Sequence, residues 1–169
     1  MFNRYILINS MLFNAAWFGC VLLGDKFAAV VLIWAVIHLF YRRLFKTELL
    51  TLFIITLLGI AVDTTLMHLG ILMFDSDSYI IPFWLMMIWL AFAMTINGCL
   101  KPLQNNMTLQ YLVGAIFPPL SYMAGALLGA VSFGFVQSYT LFTFSILWCV
   151  LLPIFFYINK KIQQEVHHV

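Results

Sequence analysis

Long apolar runs separated by short polar clusters make up nearly the whole chain. A bilayer core about 30 Å thick is crossed by about 20 apolar residues in a helix, and the polar breaks cut this sequence into six stretches near that length. The first runs from Tyr5 to Leu23 and closes at Gly24-Asp25-Lys26. The second, Phe27 to Tyr41, is short and meets Arg42-Arg43. The third extends from Glu48 to Phe74 and stops at the turn Asp75-Ser76-Asp77-Ser78. The fourth, Tyr79 to Leu100, gives way to Lys101-Pro102 and the polar run Gln104-Asn105-Asn106. The fifth begins near Thr108 and reaches Ser132, and the sixth covers Ser138 to Tyr157 before Asn159-Lys160-Lys161. Each stretch is apolar nearly all the way round, as lipid requires, and the alternation of a membrane β-barrel is absent. The pattern predicts an all-α protein: one polytopic domain over residues 1–169, an integral membrane bundle of six transmembrane helices. Pro118-Pro119 falls in the middle of the fifth stretch and removes two amide donors, so this helix is expected to be broken or kinked there.

Composition agrees and narrows the function classes. Of 169 residues, 64% are hydrophobic and only 8% charged, and the mean hydropathy is +1.05. A soluble domain carries about 25% charged residues, so a soluble enzyme, a nucleic-acid binder and a disordered chain are all excluded. Charge then gives an orientation. Arg4, Arg42, Arg43, Lys46, Lys101, Lys160 and Lys161 fall on one side of the six-span arrangement, and Lys26 alone falls on the other. By the positive-inside rule both termini are expected in the cytoplasm. The first stretch is read as a retained span, because no small-x-small cleavage pattern follows it.

Several chemical signals point nowhere. Cys20, Cys99 and Cys149 fall in different stretches without a close-spaced pair, which gives no metal or redox framework. His38 and His68 belong near opposite ends of the bundle and cannot share an ion. No metal site and no cofactor are expected.

The polar positions inside the stretches do need an account. Asp63 is the one carboxylate predicted deep in a span, at a cost of about 2.5–3.5 kcal/mol on insertion scales, which makes it either a functional group or a packing hydrogen bond. Thr56, Gly59, Asp63 and Gly70 fall on one helical seam, and Ser10, Asn14 and Trp17 on another, which Asn3 and Gly24 extend. The fifth stretch carries Gly114, Pro118, Ser121, Gly125 and Gly129, with the last two glycines as a small-xxx-small contact. Gly59, Gly114, Gly125 and Gly129 are thus the candidate helix-packing residues. Asp63, Asn14, Ser121 and Tyr122 form a candidate polar site, beside a pocket lined by Trp17, Trp89, Trp148, Pro118 and Pro119. A lipid-facing aromatic belt is the plainer account of Trp84 and Tyr79.

The order Asn14-x-x-Trp17, Asp63, Pro82-x-Trp84, Trp89, Asn97, then Pro118-Pro119-Leu120-Ser121-Tyr122-x-x-Gly125-x-x-x-Gly129-Ala130, resembles a family of bacterial inner-membrane proteins, domain of unknown function 2878. The resemblance covers nearly the whole chain, and Pro-Leu-Ser-Tyr-x-x-Gly is its most specific part. It implies a small multi-pass protein of the bacterial inner membrane without an assigned activity, and it adds Asn97 to the polar set.

Three functions compete on these grounds. The first is the handling or modification of membrane lipid, or of another hydrophobic small molecule, in a cavity beside the fifth helix. Asp63 would then be its acid or hydrogen-bonding group, and Asn14, Ser121 and Tyr122 would orient a head group or an oxidised acyl chain. Catalysis itself stays open, since acid–base chemistry usually uses two titratable groups. The second is a small transporter or channel, disfavoured because the Pro118-Pro119 break has no counterpart in the second stretch. The third is a structural assembly partner. The expected partners are accordingly membrane lipids or another inner-membrane protein, and not nucleic acid.

Overall fold

The computed structural model describes residues 4–41, 45–75 and 78–167, and these are mostly helical. Asn3, Arg42, Arg43, Ser76, Asp77 and His168 lie outside the described residues. The order is α1 (Arg4–Leu23), α2 (Asp25–Tyr41), α3 (Phe45–His68), β1 (Leu72–Met73), α4 (Phe83–Ile96), a 3-10 turn (Lys101–Leu103), α5 (Met107–Leu127), β2 (Ser132–Phe133) and α6 (Gln137–His167). Three helices, α1, α3 and α6, are long and apolar enough to cross a membrane.

The boundaries depart from the hydropathy pattern where capping chemistry overrides it. The third and fifth stretches end early, at Gly70 (φ 69°) and Gly129 (φ 77°). Each glycine takes the left-handed conformation that closes a helix, with Ile71 N–H donating to Leu66 O at 2.9 Å and Ala130 N–H to Gly125 O at 3.0 Å. The apolar residues beyond them form a short antiparallel pair, Leu72 opposite Phe133 and Met73 opposite Ser132. Gly129 is therefore a helix stop and not a helix-packing residue, and a Cβ there would meet nothing within 4 Å.

α4 has 14 residues and starts at Phe83, four positions later than Tyr79, because Pro82 occupies its N-cap. Its free Trp84 N–H is taken by the Asp25 carboxylate from the α1–α2 corner, at 2.9 Å. α5 has its own cap, with Asn106 Oδ1 accepting from Leu109 N–H at 3.0 Å. It then stays helical through Pro118-Pro119, so the expected break is not there. α6 runs 31 residues, past Lys160-Lys161, because Asn159 is buried in the bundle and does not begin a loop.

α4 is the axis of the bundle. It packs against α1, α2 and α3 and touches α6, which in turn carries α5 on its other side. Two glycines allow these approaches. A Cβ on Gly59 of α3 would fall on the Trp89 ring, and one on Gly114 of α5 would fall on the backbone carbonyl of Trp148. Gly125 is looser, with its nearest neighbour, Val131 Cγ1, at 3.8 Å. Gly114→Ala is expected to push α5 off α6 and lower stability by about 1–3 kcal/mol. Gly125→Ala should change it by a few tenths, and reversible unfolding in mixed micelles distinguishes the two.

Candidate functional site

α1 and α5 stand on opposite sides of the bundle face, one held by α4 and the other by α6. Between them runs an open groove of about 740 Å³. Its wall on α1 is the stripe Ser10, Phe13, Asn14, Trp17 and Val21, whose three- and four-residue spacings put them on one helical face. The opposite wall on α5 carries Phe117, Pro118, Ser121, Tyr122 and Gly125. α4 and α6 make the floor, with Trp89, Phe92 and Thr95 from the first and Trp148 and Leu152 from the second. From Trp84 to Thr95 the floor is roughly 16 Å long at helical rise, and Leu100 and Leu103 continue it toward the end that carries Arg4 and Lys101.

Asp63 sits under this floor, fully buried, roughly 8 Å below the end of α3 at helical rise. Both carboxylate oxygens are engaged. The Trp89 indole N–H donates to Oδ2 at 2.7 Å and the Tyr122 hydroxyl donates to Oδ1 at 2.6 Å. Trp89 then lies parallel to Trp148, ring centroids 5.3 Å apart and planes 2° apart, while Tyr122 stacks on Phe144 at 4.4 Å. One side chain on α3 therefore fixes aromatic groups of α4, α5 and α6 together. The Trp148 indole N–H is buried beside the Tyr122 oxygen without a partner in hydrogen-bond geometry.

The groove brings together Asn14, Asp63, Ser121 and Tyr122 of the polar set, and Trp17, Trp89, Trp148 and Pro118 of the aromatic and proline set. Asn14 is exposed to it, with Nδ2 tied back to Ser10 O at 2.8 Å. Two candidates fall elsewhere. Pro119 is buried and does not reach the groove. Asn97 is at the basic end, because α4 runs from Phe83 down to Ile96 and Asn97 is its C-cap.

There Asn97 joins a second polar cluster that the hydropathy pattern does not reveal. Its Nδ2 donates to Glu48 Oε2 (3.2 Å) and Asn159 Oδ1 (3.1 Å), and Asn159 Nδ2 returns a bond to Asn97 Oδ1 at 2.8 Å. Thr51 Oγ donates to Asn159 Oδ1 at 2.9 Å, and His38 Nε2 contacts Glu48 Oε1 at 2.8 Å. Glu48 is 2% exposed, so Asp63 is not the one enclosed carboxylate. The helical spacings Glu48-x-x-Thr51 and Asn159-x-x-x-Gln163 are the signal that would have found this cluster. It ties α2, α3, α4 and α6 at one end, and its residues do not line the α1–α5 groove. Among the described residues no group of three His, Cys, Asp or Glu could hold a metal ion.

The two clusters should respond differently to mutation. Asn159→Leu strands the Thr51 and Asn97 groups in the interior and should cost about 1–3 kcal/mol of stability. Asn14→Leu loses only a bond to its own helix and should be close to neutral. Chemical unfolding of the two purified variants checks the contrast.

Neither a curated protein nor a solved structure matches the chain. A family model does, described as a protein of unknown function (DUF2878), over residues 6–154. Since that match takes in the helices that build the groove and most of α6, the chain belongs to the DUF2878 family.

Proposed function

We propose that this protein holds a long hydrophobic molecule of the lipid class in the α1–α5 groove, within a membrane, for handling or modification. The observation that carries the reading is the groove itself: a long floor and two helical walls, aliphatic and aromatic over most of their length, with a few polar groups that include Asn14, Ser121 and Tyr122. Binding sites for apolar molecules have this composition, a greasy lining with a few placed polar groups. A polar solute or an ion would need a continuous polar path, and this lining is dominated by Phe, Trp, Leu and Val. Asp63, with both oxygens engaged, acts in this reading through Trp89 and Tyr122 and does not touch the ligand.

The same reading places all six helices in the bilayer, with α2 and the 14-residue α4 crossing as members of the bundle. Support comes from charge. Arg4, Lys46, Lys101, Lys160 and Lys161 gather at the end of the bundle where α1 and α3 begin and α6 finishes, and Lys26 lies at the other end beside α4's start. That asymmetry favours a cytoplasmic basic end and an inner-membrane location. Pro118 and Pro119 deprive the Gly114 and Ala115 carbonyls of helical donors, which gives α5 the freedom to bend beside the groove.

Ala124 lines the groove and is only partly enclosed, so Ala124→Trp fills the groove without entering the core. Protein extracted in mild detergent should carry bound lipid detectable by native mass spectrometry. The Ala124→Trp variant, monodisperse and equally helical, should lose most of that lipid. Identical lipid loads in both proteins would overturn the reading.

A further inference from the structure

The hydrogen bonds under the groove fix which kind of polar group its ligand can carry. A phenol oxygen both donates and accepts. At Tyr122 the single proton is spent on Asp63 Oδ1, at 2.6 Å, and the Asp63 side chain is held from its other oxygen by Trp89 at 2.7 Å. The Trp148 N–H beside the Tyr122 oxygen falls short of hydrogen-bond geometry. What Tyr122 offers to the groove is therefore a lone pair. Asn14 across the groove discriminates less: one amide N–H is committed to Ser10 O at 2.8 Å, and the exposed side chain keeps its carbonyl oxygen and a second N–H. Ser121 can serve either way and does not discriminate. Tyr122 lies part-way along, with Val21, Trp84 and Val131 toward one end and Phe92, Leu103 and Leu152, beside Thr95, toward the other.

We propose that the groove selects a long apolar chain bearing a hydroxyl group part-way along its length, which donates its proton to the Tyr122 oxygen. A ketone at the same place has no proton for the Tyr122 oxygen, and a plain chain leaves that oxygen without one. This rests on the reading of the groove as a lipid site. Asp63 is then a positioning residue: it sets the polarity of Tyr122 by holding its proton. Replacing it with asparagine reverses that polarity. The new amide oxygen accepts from Trp89, the amide N–H donates to the Tyr122 oxygen, and the phenol proton is released toward the groove.

The test measures binding of mid-chain hydroxystearate, the matching ketostearate and stearate to the full-length protein in nanodiscs, by quenching of tryptophan fluorescence. Wild type should bind the hydroxy chain about three- to tenfold more tightly than the keto chain, the weight of one hydrogen bond. Tyr122→Phe should bring the two within about twofold of each other. Asp63→Asn should likewise erase the preference, because a phenol proton turned to the groove is accepted by a hydroxyl or a ketone alike. If Asp63→Asn does not fold, Tyr122→Phe still decides, because a preference that survives it does not come from the phenol. Equal binding of all three chains, abolished by Ala124→Trp, would overturn the selectivity and leave the groove reading standing. No binding of any chain, with Ala124→Trp indistinguishable from wild type, would overturn both.

Discussion

The enclosed carboxylate of Asp63 is the constraint around which the bundle is arranged. A charged group at membrane depth costs about 2.5–3.5 kcal/mol. A hydrogen bond to a charged group returns about 1.5–3 kcal/mol, so the two short bonds from Trp89 and Tyr122 offset the cost, where one alone would leave the account marginal. Together the two donors cover that cost, and each belongs to a different helix. That pairing sets the register of α3 against α4 and α5 at once. Gly59, one turn earlier on α3, leaves the Trp89 ring the space it needs. The stack of Trp89 on Trp148 then extends the register to α6.

The two ends of the bundle are tied by different chemistry. At the basic end, the Asn97–Asn159 pair with Glu48, Thr51 and His38 joins four helices, and Asn9 adds α1 by accepting from Cys99 N–H at 2.8 Å. At the other end, Asp25 caps α4 and the β1–β2 pair links the α3 and α5 exits. α1 is thus held at both ends through α4, and α5 is held along its length by α6, with the Gly114 backbone seated against the Trp148 carbonyl. Neither wall needs the other. This is why a groove can persist between them.

Much of this was legible in the amino-acid order, and the residues that were not share a cause. Six apolar stretches with polar breaks anticipated six helices, and the polar and small-residue seams picked out the helix faces on which Asn14, Asp63, Ser121 and Tyr122 lie. The misread positions are those where local capping or distant pairing outweighs hydropathy. Gly129 fits a packing motif equally well as a helix stop, and only its φ of 77° separates the two. Asn159 precedes Lys160-Lys161 and looks like the start of a tail, yet its amide completes the pairing with Asn97, 62 positions earlier in the chain. Glu48 reads as the polar edge of a span because nothing local shows that His38 and Asn97 close over it. Asp25 is likewise an ordinary loop residue until Trp84 N–H arrives, 59 positions later.

On the proposed reading of the groove as a lipid site, the bilayer also decides where specificity has to come from. In water, an apolar groove attracts an apolar ligand by removing its surface from solvent, at about 25 cal/mol per Å². In a bilayer that drive is absent, because lipid tails are as apolar as the Leu, Phe and Val of the lining. A hydrocarbon chain in the α1–α5 groove exchanges one greasy neighbour for another, and shape alone separates it weakly from bulk lipid. The few polar atoms in the groove are the ones whose partners lipid tails cannot replace. Unpaired, the Tyr122 oxygen and the Asn14 carbonyl lose bonds that hydrocarbon never supplies, and a ligand that completes them gains what its competitors lack. On that reading, the carboxylate that organises the four helices also governs the terms on which the groove tells one chain from another.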